Sequence, residues 1–235
     1  MAKIAPDKAV IFLHGSGDTG PGVRQWVRQA SENRFAKALG NTLLVYPTAS
    51  ARPYSLSGGA LSNVWHDRAQ LSESAAITDL DGLNASFAQV ENEIEILEQK
   101  GIPSSSIYLG GFSMGGGLAL QYLQRRTSAF RLGGIFCLAS FLATQSPVFT
   151  PKQPLAVPVY MAHGQNDTLV PAAWGKNTFN KLKDIGYDVS WKEYKGLDHE
   201  LGGEELEDLA EWLEELMKGA GTGAGAAGAD SCREV

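Results

Sequence analysis

The chain has 235 residues, 43% hydrophobic and 20% charged, with a net charge of −6, which suits one soluble globular domain with a full core. The acidic balance and the lack of any basic run exclude nucleic acid as a main partner and give no pull toward anionic lipid, and no apolar stretch approaches the roughly 20 residues that span a bilayer. Met1-Ala2-Lys3-Ile4 reads as neither a signal peptide nor a myristoylation site, and Cys137 and Cys232 lie in settings too different to pair, so the cytoplasm is the expected compartment.

A first apolar run, 9–13, reads as a buried strand and leads into His14-Gly15-Ser16-Gly17-Asp18-Thr19-Gly20. This loop matches the glycine spacing of a dinucleotide site. Two features oppose that reading. Pro21 and Gly22 interrupt the helix that should follow, and the second strand, 42–46, ends at Pro47 with no acidic residue for a ribose hydroxyl. A helix is expected over 23–39 between these strands. The segment 47–74 is polar, rich in Ser, Gly and Ala, and carries Trp65-His66-Asp67; loops of that length are usually functional.

The clearest helix is 77–100, where Ile77, Leu80, Leu83, Phe87, Val90, Ile94 and Leu97 form one stripe before Gly101 and Pro103. Strands at 106–109, 133–139, 157–162 and 189–194 follow, with helices at 115–125, 171–185 and 204–218. Strand alternating with helix implies an α/β domain: a mostly parallel central sheet with helices on both faces, over residues 1–218. The Gly/Ala-rich stretch 219–235 is expected to be a flexible tail.

Gly111-Phe112-Ser113-Met114-Gly115 follows the apolar Ile107-Tyr108-Leu109 and opens a helical pattern. Strand, tight turn, serine and helix make the setting of a nucleophile elbow. Glycines two residues to either side carry no Cβ that would strike the neighbouring elements. The Met114 N–H then heads a helix, where it can face a developing oxyanion. A serine hydroxyl needs a base, and the base needs a group to orient it. In parallel-sheet hydrolases the order is serine, acid, base. Of the four histidines, His14 and His66 precede the serine, and no acidic residue separates Ser113 from His163. His199 remains, between the last strand and the last helix. Asp167 follows strand 157–162 at its C-terminal end, where ligand sites of open α/β sheets form. Asp184 sits in a helix pattern, Asp188 at a strand start, and Asp198 beside the base; all are poorer placements. The second oxyanion donor is expected from the Ser16 backbone N–H, with His14 a buried packing residue. Trp65 either lines the substrate pocket or plugs its loop onto the core. This chemistry requires no metal and no cofactor.

Leu13-His14-Gly15-Ser16-Gly17-Asp18-Thr19-Gly20, Tyr46-Pro47-Thr48-Ala49, Val64-Trp65-His66-Asp67, Gly110-Gly111-Phe112-Ser113-Met114-Gly115-Gly116, His163-Gly164-Gln165-Asn166-Asp167 and Asp198-His199-Glu200 together resemble the acyl-protein thioesterase and carboxylesterase family, most closely its lysophospholipase-like branch. The resemblance implies an α/β-hydrolase fold without a large lid domain. It implies a serine hydrolase acting on thioesters or oxyesters through an acyl-enzyme, S-acylated proteins included. It lays the catalytic roles onto Ser113, Asp167 and His199 and the oxyanion donors onto Ser16 and Met114. Typical acyl-protein thioesterases carry Leu at the position of Ser16 and Gln at that of Met114. The lysophospholipase-like branch tends to share these departures and implies a preference for short acyl chains. The alternative is a binding or scaffold protein that kept the fold without turnover, which a complete triad opposes.

Overall fold

A computed structural model describes residues 5–125, 132–150 and 155–222. Among them, six strands form one all-parallel sheet in the order β2-β1-β5-β6-β7-β8. These are β1 (Ala9–Leu13), β2 (Leu43–Val45), β5 (Ile107–Phe112), β6 (Gly134–Leu138), β7 (Val159–Gly164) and β8 (Val189–Tyr194). Side chains alternate across a strand, so each interior strand feeds two cores. Ile11, Leu109, Cys137 and Met161 pack on one face with α3 (Leu80–Gln99), α4 (Met114–Gln121) and α5 (Ala172–Asp184). Phe12, Tyr108, Phe136 and Tyr160 pack on the other with α1 (Gly20–Ala30), α2 (Arg34–Ala38) and α6 (Gly203–Thr222). The layered α/β arrangement follows from burying both faces of parallel strands.

Three sequence expectations need correction. The helix expected over 23–39 is two helices, because Glu32 and Asn33 adopt positive φ of 50° and 63°. The Ser31 hydroxyl bonds the Val27 carbonyl and the Arg28 Nε bonds the Asn33 side chain, which stabilises the break. Pro21 interrupts nothing: it lies in the first turn of α1, where a missing N–H costs no helical bond, behind a Thr19 cap that accepts from Gly22. The segment 47–74 is not all loop. β3 (Ala51–Tyr54) and β4 (Ala60–Asn63) pair antiparallel in a hairpin. Their residues show no apolar alternation, so nothing in the pattern marked them as strands.

The stretch expected as a tail begins inside α6, which continues to Thr222; residues 223–235 lie outside the described residues. Cys137 is a free, buried thiol, and Cys232 also falls outside. No helix among the described residues is long and apolar enough to cross a membrane.

Glu205 is an unusual core residue. It lies in the first turn of α6 and is 0% exposed. Burial pushes its carboxyl up to about 8, and Oε1 has no hydrogen-bond partner among the described residues. The folded state therefore holds this proton more tightly than the unfolded chain does. That stability is fully present below the ordinary value of 4.5 and is lost as pH rises toward about 8. Glu205→Gln should accordingly raise the melting temperature at pH 8 more than at pH 5, by a gain worth up to a few kcal/mol. A wild-type melting temperature flat across that interval would contradict the expectation.

Candidate active site

β5 delivers Ser113 to the C-terminal edge of the sheet, and α4 begins at the next residue. The turn is tight. Ser113 sits at φ 52° and ψ −122°, a sparsely populated conformation that costs on the order of 1–3 kcal/mol. Its N–H bonds the Leu138 carbonyl at 2.9 Å, and its carbonyl accepts from Gly117 at 3.0 Å. These bonds hold the strain in place. A Cβ on Gly111 or Gly115 would collide with the Leu13 carbonyl oxygen, so β1 can approach the elbow only because both are glycine.

Ser113, Asp167 and His199, from three sheet ends, meet there. His199 Nε2 lies 3.0 Å from Ser113 Oγ, and its Nδ1 lies 2.8 Å from Asp167 Oδ2. With the proton on Nδ1 donated to Asp167, Nε2 is free to accept from the serine hydroxyl. The Asp167 side chain is fully buried, while that of His199 is 13% exposed. Burial opposes the carboxylate charge. Hydrogen bonds from His163 and His199 and from the Val170 N–H outweigh it and hold Asp167 well below the usual carboxylate range. Its other oxygen accepts the N–H groups of Leu169 and Val170 at 3.0 and 2.7 Å. Asp198 serves a different purpose: its Oδ1 accepts the N–H groups of Thr168 and His199 at 2.7 and 2.8 Å, tying the loops after β7 and β8 together.

The sequence reading passed over His163. This wholly buried residue of β7 places Nε2 3.1 Å from Asp167 Oδ2 and 2.8 Å from the Val170 carbonyl. Its Nδ1 is buried without a partner among the described residues, so the ring proton sits on Nε2 and is shared by those two acceptors. The available signal was its spacing, four residues before an aspartate at a strand end. His163→Leu should lower kcat about tenfold with little change in KM, because a donor to a buried carboxylate is worth about 1.5–3 kcal/mol and only the orientation of Asp167 depends on it. A rise in KM with kcat intact would make His163 a packing residue alone.

The backbone N–H groups of Ser16 and Met114 donate to no acceptor among the described residues. Met114 heads α4, so its N–H also carries the positive end of the helix dipole. The loop bearing Ser16 is braced from behind. His14 is buried, its Nδ1 donating to the Gly15 carbonyl at 2.6 Å and its Nε2 accepting the Ala49 N–H at 3.0 Å. The Gly17 N–H bonds the Asn63 carbonyl of β4 at 2.9 Å. Trp65 is 0% exposed, its indole N–H donates to the His14 carbonyl at 2.9 Å, and its ring lies beside that of His14, which ties its loop to the core. Among the described residues no cluster of three His, Cys, Asp or Glu side chains is arranged to hold a metal ion.

A model describing phospholipases and carboxylesterases matches residues 2–217. The chain belongs to the phospholipase/carboxylesterase family. Within this family it is 36% identical over 208 residues to lysophospholipase-like protein 1 of Mus musculus, an alignment covering 87% of this chain and 85% of that one. It is 33% identical over 223 residues to acyl-protein thioesterase 1 of Yarrowia lipolytica, covering 92% and 95%. Among solved structures, Zea mays acyl-protein thioesterase 2 superposes with a TM-score of 0.74 at 27% identity, covering 92% of this chain and 96% of that one. Arabidopsis thaliana SOBER1 shares the fold at a TM-score of 0.75 and 24% identity, covering 89% and 99%. This member of the phospholipase/carboxylesterase family thus has full-length relatives on both the thioesterase and the lysophospholipase-like side.

Proposed function

We propose that this chain is a serine hydrolase that cleaves carboxylic esters or thioesters through an acyl-enzyme. One observation carries the reading: His199 bridges the Ser113 hydroxyl and the Asp167 carboxylate at hydrogen-bonding distance on both sides. His199 Nε2 takes the Ser113 proton as Oγ attacks the acyl carbonyl carbon. Asp167 stabilises the imidazolium that forms. The N–H groups of Ser16 and Met114 receive the oxyanion of the tetrahedral intermediate. On collapse, His199 returns the proton to the departing thiolate or alkoxide, leaving Ser113 acylated. Water, deprotonated by His199, repeats the attack and releases the acid.

S-acylated protein cysteines are the natural substrates in this reading, supported by the thioesterase names of the relatives. Short acyl chains fit this reading better than long ones, as the departures at Ser16 and Met114 imply. The free thiol of Cys137 suits work in the cytoplasm. A fluorophosphonate probe should form one covalent adduct, located on Ser113 by peptide mass spectrometry. An unlabelled, well-folded protein would favour the binding-protein alternative.

A further inference from the structure

Of the three reacting side chains, only Ser113 directly adjoins a strand. Asp167 follows the end of β7 at Gly164, and His199 follows the end of β8 at Tyr194, each some residues into a loop. Their 2.8 Å contact therefore depends on what holds one loop against the other.

The two loops approach closely. A Cβ on Gly164 would collide with the Leu197 carbonyl oxygen, and the Asn166 N–H donates to that same carbonyl at 3.0 Å. Two side chains then cross between the loops in opposite directions. Asn166 Oδ1 accepts the Gly196 N–H at 3.2 Å. Asp198 Oδ1 accepts the Thr168 N–H at 2.7 Å and the Thr168 hydroxyl at 3.0 Å, and it also takes the N–H of His199 itself at 2.8 Å. The Asp167–His199 pair is thus bracketed in sequence: Asn166 reaches across to Gly196, and Asp198 reaches back to Thr168.

Asp198 is the stronger arm. One of its oxygens gathers three donors, and the Thr168 and His199 N–H groups hold its carboxyl below the usual carboxylate range. The other oxygen makes a single 3.3 Å contact with the Thr168 hydroxyl, a place that an amide NH2 can fill. Asp198 is exposed, so water can satisfy the same donors if the carboxylate is removed, and no buried group is left unpaired. Water does not tie one loop to the other. The side chain contributes position, and displacements too small to unfold a protein cost much more in a reaction that needs aligned groups.

We propose that Asp198 and Asn166 form a reciprocal clamp that sets the distance and orientation of His199 against Asp167. The assignment rests on the hydrolase reading above and deepens it. Both are positioning residues, acting through the two side chains they bracket. The clamp requires of Asp198 an acceptor in the right place, not a charge.

The test measures kcat and KM for 4-nitrophenyl acetate, with the melting temperature, in four variants. Asp198→Asn keeps the acceptor in place and removes the charge; kcat should stay within about threefold of wild type. Asp198→Glu keeps the charge and displaces the acceptor by one methylene, and Asp198→Ala removes both. Each of these two should lower kcat about tenfold with KM little changed. Asn166→Ala, which removes the weaker arm, should lower kcat about threefold; an unchanged kcat there would overturn the reciprocal clamp. An Asn variant as impaired as the Ala variant, or a Glu variant as active as wild type, would make charge the requirement and overturn the proposal. So would a loss expressed in KM alone. If Asp198→Ala does not fold, the contrast between Asn and Glu decides by itself. Wild-type turnover and fluorophosphonate labelling report on the hydrolase reading separately. If both are absent, that reading falls and takes this one with it; if both are present and Asn and Glu do not differ as stated, only the clamp falls.

Discussion

Ser113→Ala should lower ester turnover by about 10⁴–10⁶-fold and abolish fluorophosphonate labelling, with the melting temperature little changed. The size of the loss follows from the geometry. His199 Nε2 has one side-chain partner besides solvent, the Ser113 hydroxyl at 3.0 Å, so without that oxygen the base has no nucleophile to deprotonate except loosely held water. The oxyanion donors survive, because both are backbone groups. A residual rate above the uncatalysed one is therefore expected, and it should respond little to further substitution of His199. Removal of Oγ leaves the Ser113 N–H bond to Leu138 in place, which is why the fold should hold. Turnover within tenfold of wild type would mean that the reacting oxygen lies elsewhere.

Asp167→Asn should cost about 10⁴-fold in kcat. The carboxylate accepts on both oxygens: from His163 and His199 at Oδ2, and from the Leu169 and Val170 N–H groups at Oδ1. An amide supplies one acceptor and one donor. If its NH2 faces the loop, it meets two backbone N–H groups. If it faces the imidazoles, it meets the His163 proton and drives His199 to carry its own proton on Nε2. His199 in that form points a donor at Ser113 and cannot take the serine proton. Stopped-flow acylation rates measure the loss directly; a decrease under tenfold would remove Asp167 from the chemistry. The same substitution should alter acid stability. The Asp167 carboxyl is held below its ordinary value of 3.8 in the folded protein, so its contribution is present above that pH and is lost as pH falls below it through the lower folded-state value. In the Asn variant the acid limb of the stability curve should be correspondingly shallower.

The parts of the molecule legible in the sequence were those fixed by chain order and periodicity. β1 and β8 sit where the apolar runs placed them, and the meeting of Ser113, Asp167 and His199 could be read from strand ends and serine–acid–base succession. What escaped depended on contacts distant in sequence. The β3–β4 hairpin gains its order from Asn63, whose carbonyl takes the Gly17 N–H and whose amide bonds Ala49, not from any pattern of its own. His163 looked like an ordinary strand residue until the fold set it against Asp167. The break at Glu32 and Asn33 rests on backbone dihedrals that non-glycine residues seldom adopt.

The reacting atoms and the segment 66–77 come from different parts of the architecture. Ser113, Asp167 and His199 stand at the ends of β5, β7 and β8, anchored by the sheet, whereas His66, Arg68 and Ile77 belong to one continuous stretch outside it. That stretch can therefore change in sequence without disturbing the three sheet ends beneath it. Exchange of 66–77 between relatives should accordingly leave the meeting of Ser113, Asp167 and His199 in place.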